Sequence, residues 1–317
     1  MLCISFNYTV FAQPNNAEIA MELCTGAVLE EKNADVKLPM ASTTKIMTAL
    51  IIAEECDLDK VVTVPDCAAG VEGSSIYLKK GEEIDIRDLL YGLMLRSGND
   101  SAAALAVIHS GSVEKFVTRM NKRAKEIGVK NTNFTNPSGL PDENHYTTAR
   151  DLAKIACAAM KNEIFREIAG TKNYRGKYRS FANKNKMLYN YEGANGIKTG
   201  YTVKAGRCLV SSAERGGMDV VCVVLNCSEM YERSMQILDN CFKCFKLEEI
   251  GENNHFMCGD VLCKIKNNHK IVVKSDEEVS YKTEAYDKKQ KDKNDGAEGK
   301  LKIYSQNSLI FESNLYS

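Results

Sequence analysis

The chain has 317 residues, 44% hydrophobic and 26% charged, enough for two domains or for one large core with an appendage. Its 42 basic and 42 acidic residues cancel, which argues against nucleic acid or acidic lipid as a partner bound through global charge. No run of 18 apolar residues occurs in the sequence, so no single helix is expected to span a bilayer.

In chain order, residues 1–12 (MLCISFNYTVFA) are apolar and end on Val10-Phe11-Ala12, a small-residue ending that a signal peptidase could cut. The positively charged start of a signal peptide is missing, and a buried strand is the alternative. The segment is taken as a signal remnant. Residues 17–32 alternate around Thr25-Gly26 and predict a β-hairpin. A helix is predicted from about Ala41 to Glu55, just after Pro39. DIRDLLYGLML predicts a second helix, capped by Asp85, that stops at RSGND (residues 96–100). SAAALAVIH resumes as a small-residue helix. SVEKFVTRMNKRAKEIG is amphipathic and ends at Gly128. NFTNPSGLPDENHYTT is loop, and TARDLAKIACAAMK is helix again.

Beyond Asn183 the pattern turns to strands. AGRCLVSSAE and MDVVCVVLN flank RGG as a hairpin, followed by a helix over roughly 229–247. The predicted fold class is therefore α+β: one antiparallel sheet shared by the N-terminal hairpin and the late strands, with a helical cluster between them. Past Glu252 only short strand-like segments remain, which predicts a catalytic unit over 13–250 and a small all-β domain over 251–317. Residues 287–300 (DKKQKDKNDGAEGK) are expected as a solvated loop.

The 12 cysteines include Cys241-x2-Cys244 and Cys258-x4-Cys263, a spacing that zinc could use. The first pair lies in a helical pattern, where i and i+3 cysteines serve as small core residues. No metal is expected, and the scatter of the other thiols suggests that they stay reduced.

Three short motifs carry the chemistry: Ser42-Thr43-Thr44-Lys45, Ser97-Gly98-Asn99 and Lys198-Thr199-Gly200, spaced 55 and 101 residues apart. A serine hydroxyl needs a neighbouring base to become a nucleophile. The four histidines, 109, 145, 255 and 269, offer no nucleophile-like setting, and His145 is expected to tie down a loop. Lysine can take the role if burial and a second cation, here Lys198, lower its pKa. One helical turn places Ser42 and Lys45 on one face. N–H groups at the helix start can stabilise an oxyanion, worth on the order of 10²–10³ in rate per donor. Ser97 can relay a proton, Asn99 can bond a substrate amide, and Lys198 and Thr199 can hold a carboxylate. Gly200 lets a substrate backbone lie along the strand edge. Ser74 and Ser75 either line the cleft or form a turn.

The set S-x-x-K, S-x-N and K-T-G is the signature of penicillin-binding proteins and class A β-lactamases. LPMASTTKIMTALI, LLYGLMLRSGNDSAAALA, FTNPSGLPDENHYTTARDLAKIA and GIKTGYTVKAGRCLVSSAERGGM resemble the D-alanyl-D-alanine carboxypeptidases, low-molecular-mass penicillin-binding proteins, over roughly residues 17–250. The β-rich tail resembles that family's small C-terminal domain more loosely. The resemblance implies a β-lactamase/transpeptidase-like fold. It implies that Ser42 attacks the bond between the two terminal D-alanines of a peptidoglycan stem peptide, with Lys45 as base. Ser97 would assist proton transfer, and Asn99, Lys198 and Thr199 would hold substrate. The backbone N–H groups of Ser42 and Tyr201 would form the oxyanion hole. It further implies acylation by penicillins, no cofactor, export to the cell wall, and peripheral association with the outer face of the cytoplasmic membrane.

Two departures stand out. Members of the family often carry an arginine near the start of the helix after the last core strand, where this chain has Met230, with Arg233 out of register. Many relatives end in an amphipathic helix, whereas this sequence stops at FESNLYS, so an anchor is absent or the sequence is truncated. A β-lactamase would need a glutamate such as Glu163 or Glu167 in KNEIFREIAG to activate water, and the local pattern is wrong. A DD-endopeptidase and a non-catalytic peptidoglycan- or β-lactam-binding protein remain the alternatives.

Overall fold

The computed structural model describes residues 16–305 and 307–317, so the proposed signal remnant lies outside the described residues. The N-terminal hairpin is β1 (Ala17–Glu22) and β2 (Val28–Lys32), turning at Gly26 with φ +73°. A 3-10 turn (Ala41–Thr44) leads into α1 (Lys45–Glu55). A small hairpin of β3 (Val61–Thr63) and β4 (Glu83–Asp85) precedes α2 (Ile86–Leu95). Then come α3 (Asn99–Ser110), α4 (Val113–Ile127), α5 (Ala149–Met160) and α6 (Glu163–Gly170). β5 (Asn173–Arg175), β6 (Ser180–Ala182) and one helical turn, α7 (Met187–Asn190), lead to β7 (Ala194–Thr202), β8 (Gly206–Arg215) and β9 (Met218–Leu225). α8 (Met230–Cys244) follows.

β2-β1-β9-β8-β7 form one antiparallel sheet, as the α+β pattern predicts. β9 is central, and all eight of its residues are buried. Apart from Asp219 near its start the strand is apolar, and such a strand must be covered on both faces. One face, through Ile19, Val221 and Val223, packs on α1 and α5 within the helical cluster. The other, through Leu209, Val220 and Val224, packs on Ile237, Leu238 and Cys241 of α8. Each fully buried Ile or Leu contributes roughly 1.5–3 kcal/mol. The caps explain the helix starts: Asp85 accepts from the Asp88 N–H (2.6 Å), and Thr148 from the Asp151 N–H (3.1 Å).

The C-terminal all-β region comprises β10 (Phe245–Ile250), β11 (His255–Cys258), β12 (Val261–Lys264), β13 (His269–Lys274), β14 (Ser280–Ala285), a short α9 (Lys288–Lys293), β15 (Gly299–Ser305) and β16 (Ser308–Leu315). It has its own core of Ile250, Ile265, Leu301, Ile303 and neighbours. Two expectations change here. The helix predicted to 247 ends at Cys244, because Phe245 turns extended (φ −130°, ψ 151°) and β10 pairs with β13. The charged run at 287–300 contains α9, nucleated by a capping box between Asp287 and Gln290. None of that helix is buried, and its side chains are solvated, as the charge run predicts. Cys241 lies in the core beneath α8, whereas Cys258 and Cys263 lie in the C-terminal core, so these pairs do not share a site. Among the described residues, no helix is long and apolar enough to cross a membrane.

Candidate active site

The site is built where the start of α1 meets the edge strand β7 and the break between α2 and α3. The hydroxyls of Thr43 and Thr44 donate back to Met40 O (2.6 Å) and Ala41 O (2.8 Å), which tightens the turn before α1. Ser42 sits half-buried in that turn, and Lys45 is fully buried one turn on. Lys45 Nζ lies 3.0 Å from Ser42 Oγ and donates to Asn99 Oδ1 (2.7 Å) and Ser138 O (2.5 Å). Burial, then the charge of Lys198, hold the Lys45 pKa well below the usual lysine value, with Asp100 opposing. A neutral amine has two hydrogens. Asn99 Oδ1 and Ser138 O can only accept, so they take both, and the lone pair is left for the one partner that can give a proton, Ser42.

α2 ends at Leu95, and Ser97 takes a left-handed backbone (φ +64°) before α3 begins at Asn99. Ser97 is 8% exposed and lines the same cavity as Ser42. Asn99 has less freedom than the sequence suggested. Its amide oxygen is on Lys45, its Nδ2 donates to Glu72 O (2.6 Å), and its backbone N–H donates to Ser74 O (2.7 Å). Its first task is therefore to hold Lys45 and the 72–74 loop, leaving one amide hydrogen for a ligand. Asp100 ties the same loop down by accepting from Ser75 Oγ and the N–H groups of Ile76 and Leu78.

Lys198 is buried at 2% exposure and donates to Thr199 O (3.0 Å). Burial, then Lys184, push its pKa down to about 7. A Cβ on Gly200 would come within 3.0 Å of Ser42 N and 3.2 Å of Met40 O, so the absence of a side chain lets β7 press against the turn that carries Ser42. Tyr201 is 64% exposed at the cleft.

The cleft has two arms that meet at Ser42. One, about 610 Å³, is lined by Ser97, Thr199, Lys184, Arg207, Met230 and Tyr231, with no carboxylate among its described lining residues. The other, about 470 Å³, runs between Glu72-Gly73-Ser74, Ser138–Pro141 and Tyr201–Lys204. A cavity of about 640 Å³ between the β1–β2 turn and β13 lacks any of the motif residues. Ser74 thus lines the cleft.

Arg233 lies elsewhere: it pairs with Glu18 (2.7 Å) and Glu30 (3.1 Å). Sequence reasoning missed Arg207. It faces Tyr201 across the β7–β8 ladder, is exposed on the cleft wall and pairs with no carboxylate among the described residues. Counting the hairpin back from Lys198-Thr199-Gly200 would have placed it there. Glu163 and Glu167 begin and continue α6. Glu167 accepts from the Tyr91 hydroxyl (3.1 Å), and neither lines the cleft. His145 ties its loop to the turn of Ser42, through Thr44.

These motifs and this sheet define the class to which the comparisons also point. Residues 10–229 match the D-alanyl-D-alanine carboxypeptidase family, peptidase S11. The chain is 39% identical over 256 residues to the D-alanyl-D-alanine carboxypeptidase DacF of Bacillus subtilis, covering 77% of this chain and 66% of that protein, just under two thirds. It is 38% identical over 242 residues to the D-alanyl-D-alanine carboxypeptidase of Streptomyces sp. K15, covering 68% of this chain and 83% of the relative. The structure is similar to penicillin binding protein 5 from Haemophilus influenzae, with a TM-score of 0.80 at 27% identity, over 98% of this chain and 97% of that one. The chain belongs to the D-alanyl-D-alanine carboxypeptidase family.

Proposed function

We propose that the protein is a serine-type D-alanyl-D-alanine carboxypeptidase that removes the terminal D-alanine from peptidoglycan stem peptides and is acylated by penicillins. The observation that supports it most is the fully buried Lys45, bonded to Ser42 and to two fixed acceptors. Neutral Lys45 takes the Ser42 proton as Oγ attacks the carbonyl of the penultimate D-alanine. The N–H groups of Ser42 and Tyr201 receive the oxyanion. The C–N bond then breaks as Ser97 relays the proton held by Lys45 to the departing D-alanine amine, which leaves Lys45 neutral again. Water hydrolyses the ester and restores Ser42. Asn99 offers its remaining amide hydrogen to the acyl chain.

The basic arm suits the leaving residue. Thr199, Lys198 and Arg207 supply hydroxyl and positive charge for its carboxylate, with Arg207 where Met230 cannot serve. The stem peptide lies along β7 in the other arm. On this reading the unit through α8 is catalytic and the all-β region from β10 onward is accessory. The protein acts outside the cytoplasm, at the cell wall or the outer face of the cytoplasmic membrane.

The test is release of D-alanine from a D-Ala-D-Ala pentapeptide by wild type and Ser42→Ala. Release by wild type and none by the variant is the expected result. Equal release by both, or none by either, overturns the reading.

A further inference from the structure

We propose that His145 is a positioning residue for Ser42: as the neutral Nε2–H tautomer it donates to Thr44, whose hydroxyl donates to the Ala41 carbonyl, fixing the turn that presents the nucleophile. The inference rests on the reading of Ser42 as nucleophile. The protons leave no choice. The Thr135 backbone N–H can only donate, and it lies 3.0 Å from His145 Nδ1, so Nδ1 carries the lone pair and Nε2 the hydrogen. Thr44 Oγ1 lies 2.7 Å from Nε2 and 2.8 Å from Ala41 O. Its single proton goes to the carbonyl, which can only accept, so it receives from the imidazole.

The fixed end matters because of what it holds. Ala41, directly before Ser42, has φ +48°, a left-handed conformation that a β-carbon disfavours. Something outside the turn must hold it. The loop around His145 is pressed against the same point: a Cβ on Gly139 would lie 1.9 Å from Ala41 O. The imidazole itself is 4% exposed and packs edge-on to Phe134 at 5.8 Å. Burial, assisted by Lys45 and opposed by Asp142, pushes its pKa down to about 4, so the tautomer needed here persists through neutral pH. His145 therefore takes no proton from substrate. It acts through Thr44 and Ala41 on the direction of Ser42 Oγ and of the Ser42 N–H.

The test is acylation of the full chain by a fluorescent penicillin, with the non-covalent binding constant and the acylation rate constant separated. The variants are His145→Leu, His145→Gln, Thr44→Val and the double His145→Leu/Thr44→Val. The Leu and Val variants should each slow acylation about ten- to a hundred-fold, as ångström-scale misplacement does, with little change in binding. His145→Gln, whose amide can accept from Thr135 and donate to Thr44, should keep most of the rate. The double variant should be no slower than the slower single, because both cut the same chain. Thr44→Val preserves side-chain volume and carries the test if His145→Leu does not fold. Wild-type acylation rates in the folded Leu and Val variants, or losses that multiply in the double variant, overturn the positioning role alone. An unreactive wild type overturns the nucleophile reading, and this inference with it.

Discussion

Replacing Lys45 by methionine separates chemistry from folding. The substitution keeps an unbranched side chain of similar length and removes the amine. Two buried acceptors, Asn99 Oδ1 and Ser138 O, then lose their donor. Each costs about 1–3 kcal/mol. Burying a thioether instead of an amine recovers part of this, because Lys45 is fully buried and its desolvation disappears. The net loss should be about 1–3 kcal/mol, or roughly 2–12 °C in Tm at ~2–4 °C per kcal/mol for a unit of this size. Acylation should fall much further, by about 10²–10⁴, the usual contribution of a positioned base. Thermal unfolding and stopped-flow acylation by a chromogenic β-lactam measure the two quantities on one preparation. A folded Lys45→Met protein that acylates within tenfold of wild type would refute the assignment of Lys45 as the base.

Lys198 makes stability depend on pH with a definite sign. Its folded pKa, about 7, lies below the ordinary 10.5, so between those values the unfolded chain holds a proton that the folded chain has lost. Stability should therefore rise with pH across that window, and Tm measured from pH 7 to 10 should show a shallower rise in Lys198→Met. Arg207→Gln should raise KM for a D-Ala-D-Ala peptide about tenfold and lose the preference for a free carboxylate over its amide, while Arg207→Lys keeps part of it. Steady-state kinetics on the peptide and its C-terminal amide check this. Gly200→Ala puts a Cβ 3.0 Å from Ser42 N. β7 must retreat a few tenths of an ångström, which loosens the oxyanion hole and should cost about 10²-fold in acylation with little loss of Tm.

The fold was legible wherever local chemistry and packing agree. The hairpin at Gly26, the Asp85 cap and the β8–β9 hairpin around Arg215-Gly216-Gly217 all followed from residue type and turn chemistry. The misses were tertiary. The end of α8 at Cys244 is decided by a strand partner, β13, more than twenty residues later in sequence. The hairpins β3–β4 and β5–β6 have three residues per strand, too short to show a period. α9 was hidden by charge, although Asp287 and Gln290 spell its capping box. At the site, Ser42, Lys45, Ser97 and Asn99 converge because their motifs lie at helix starts and breaks, whereas Lys198–Tyr201 come from within the edge strand β7. What the sequence withheld was partnership. Asn99 spends its oxygen on Lys45, His145 acts through Thr44, and Arg207 enters the cleft by register alone.

The central claim is that Ser42, activated by Lys45, forms an acyl-enzyme. Intact mass measurement after penicillin treatment, followed by peptide mapping, tests it most directly. A single adduct on the peptide carrying Ser42, absent in Ser42→Ala, is the predicted result. No adduct on a folded wild type, or an adduct that persists in Ser42→Ala, would contradict it.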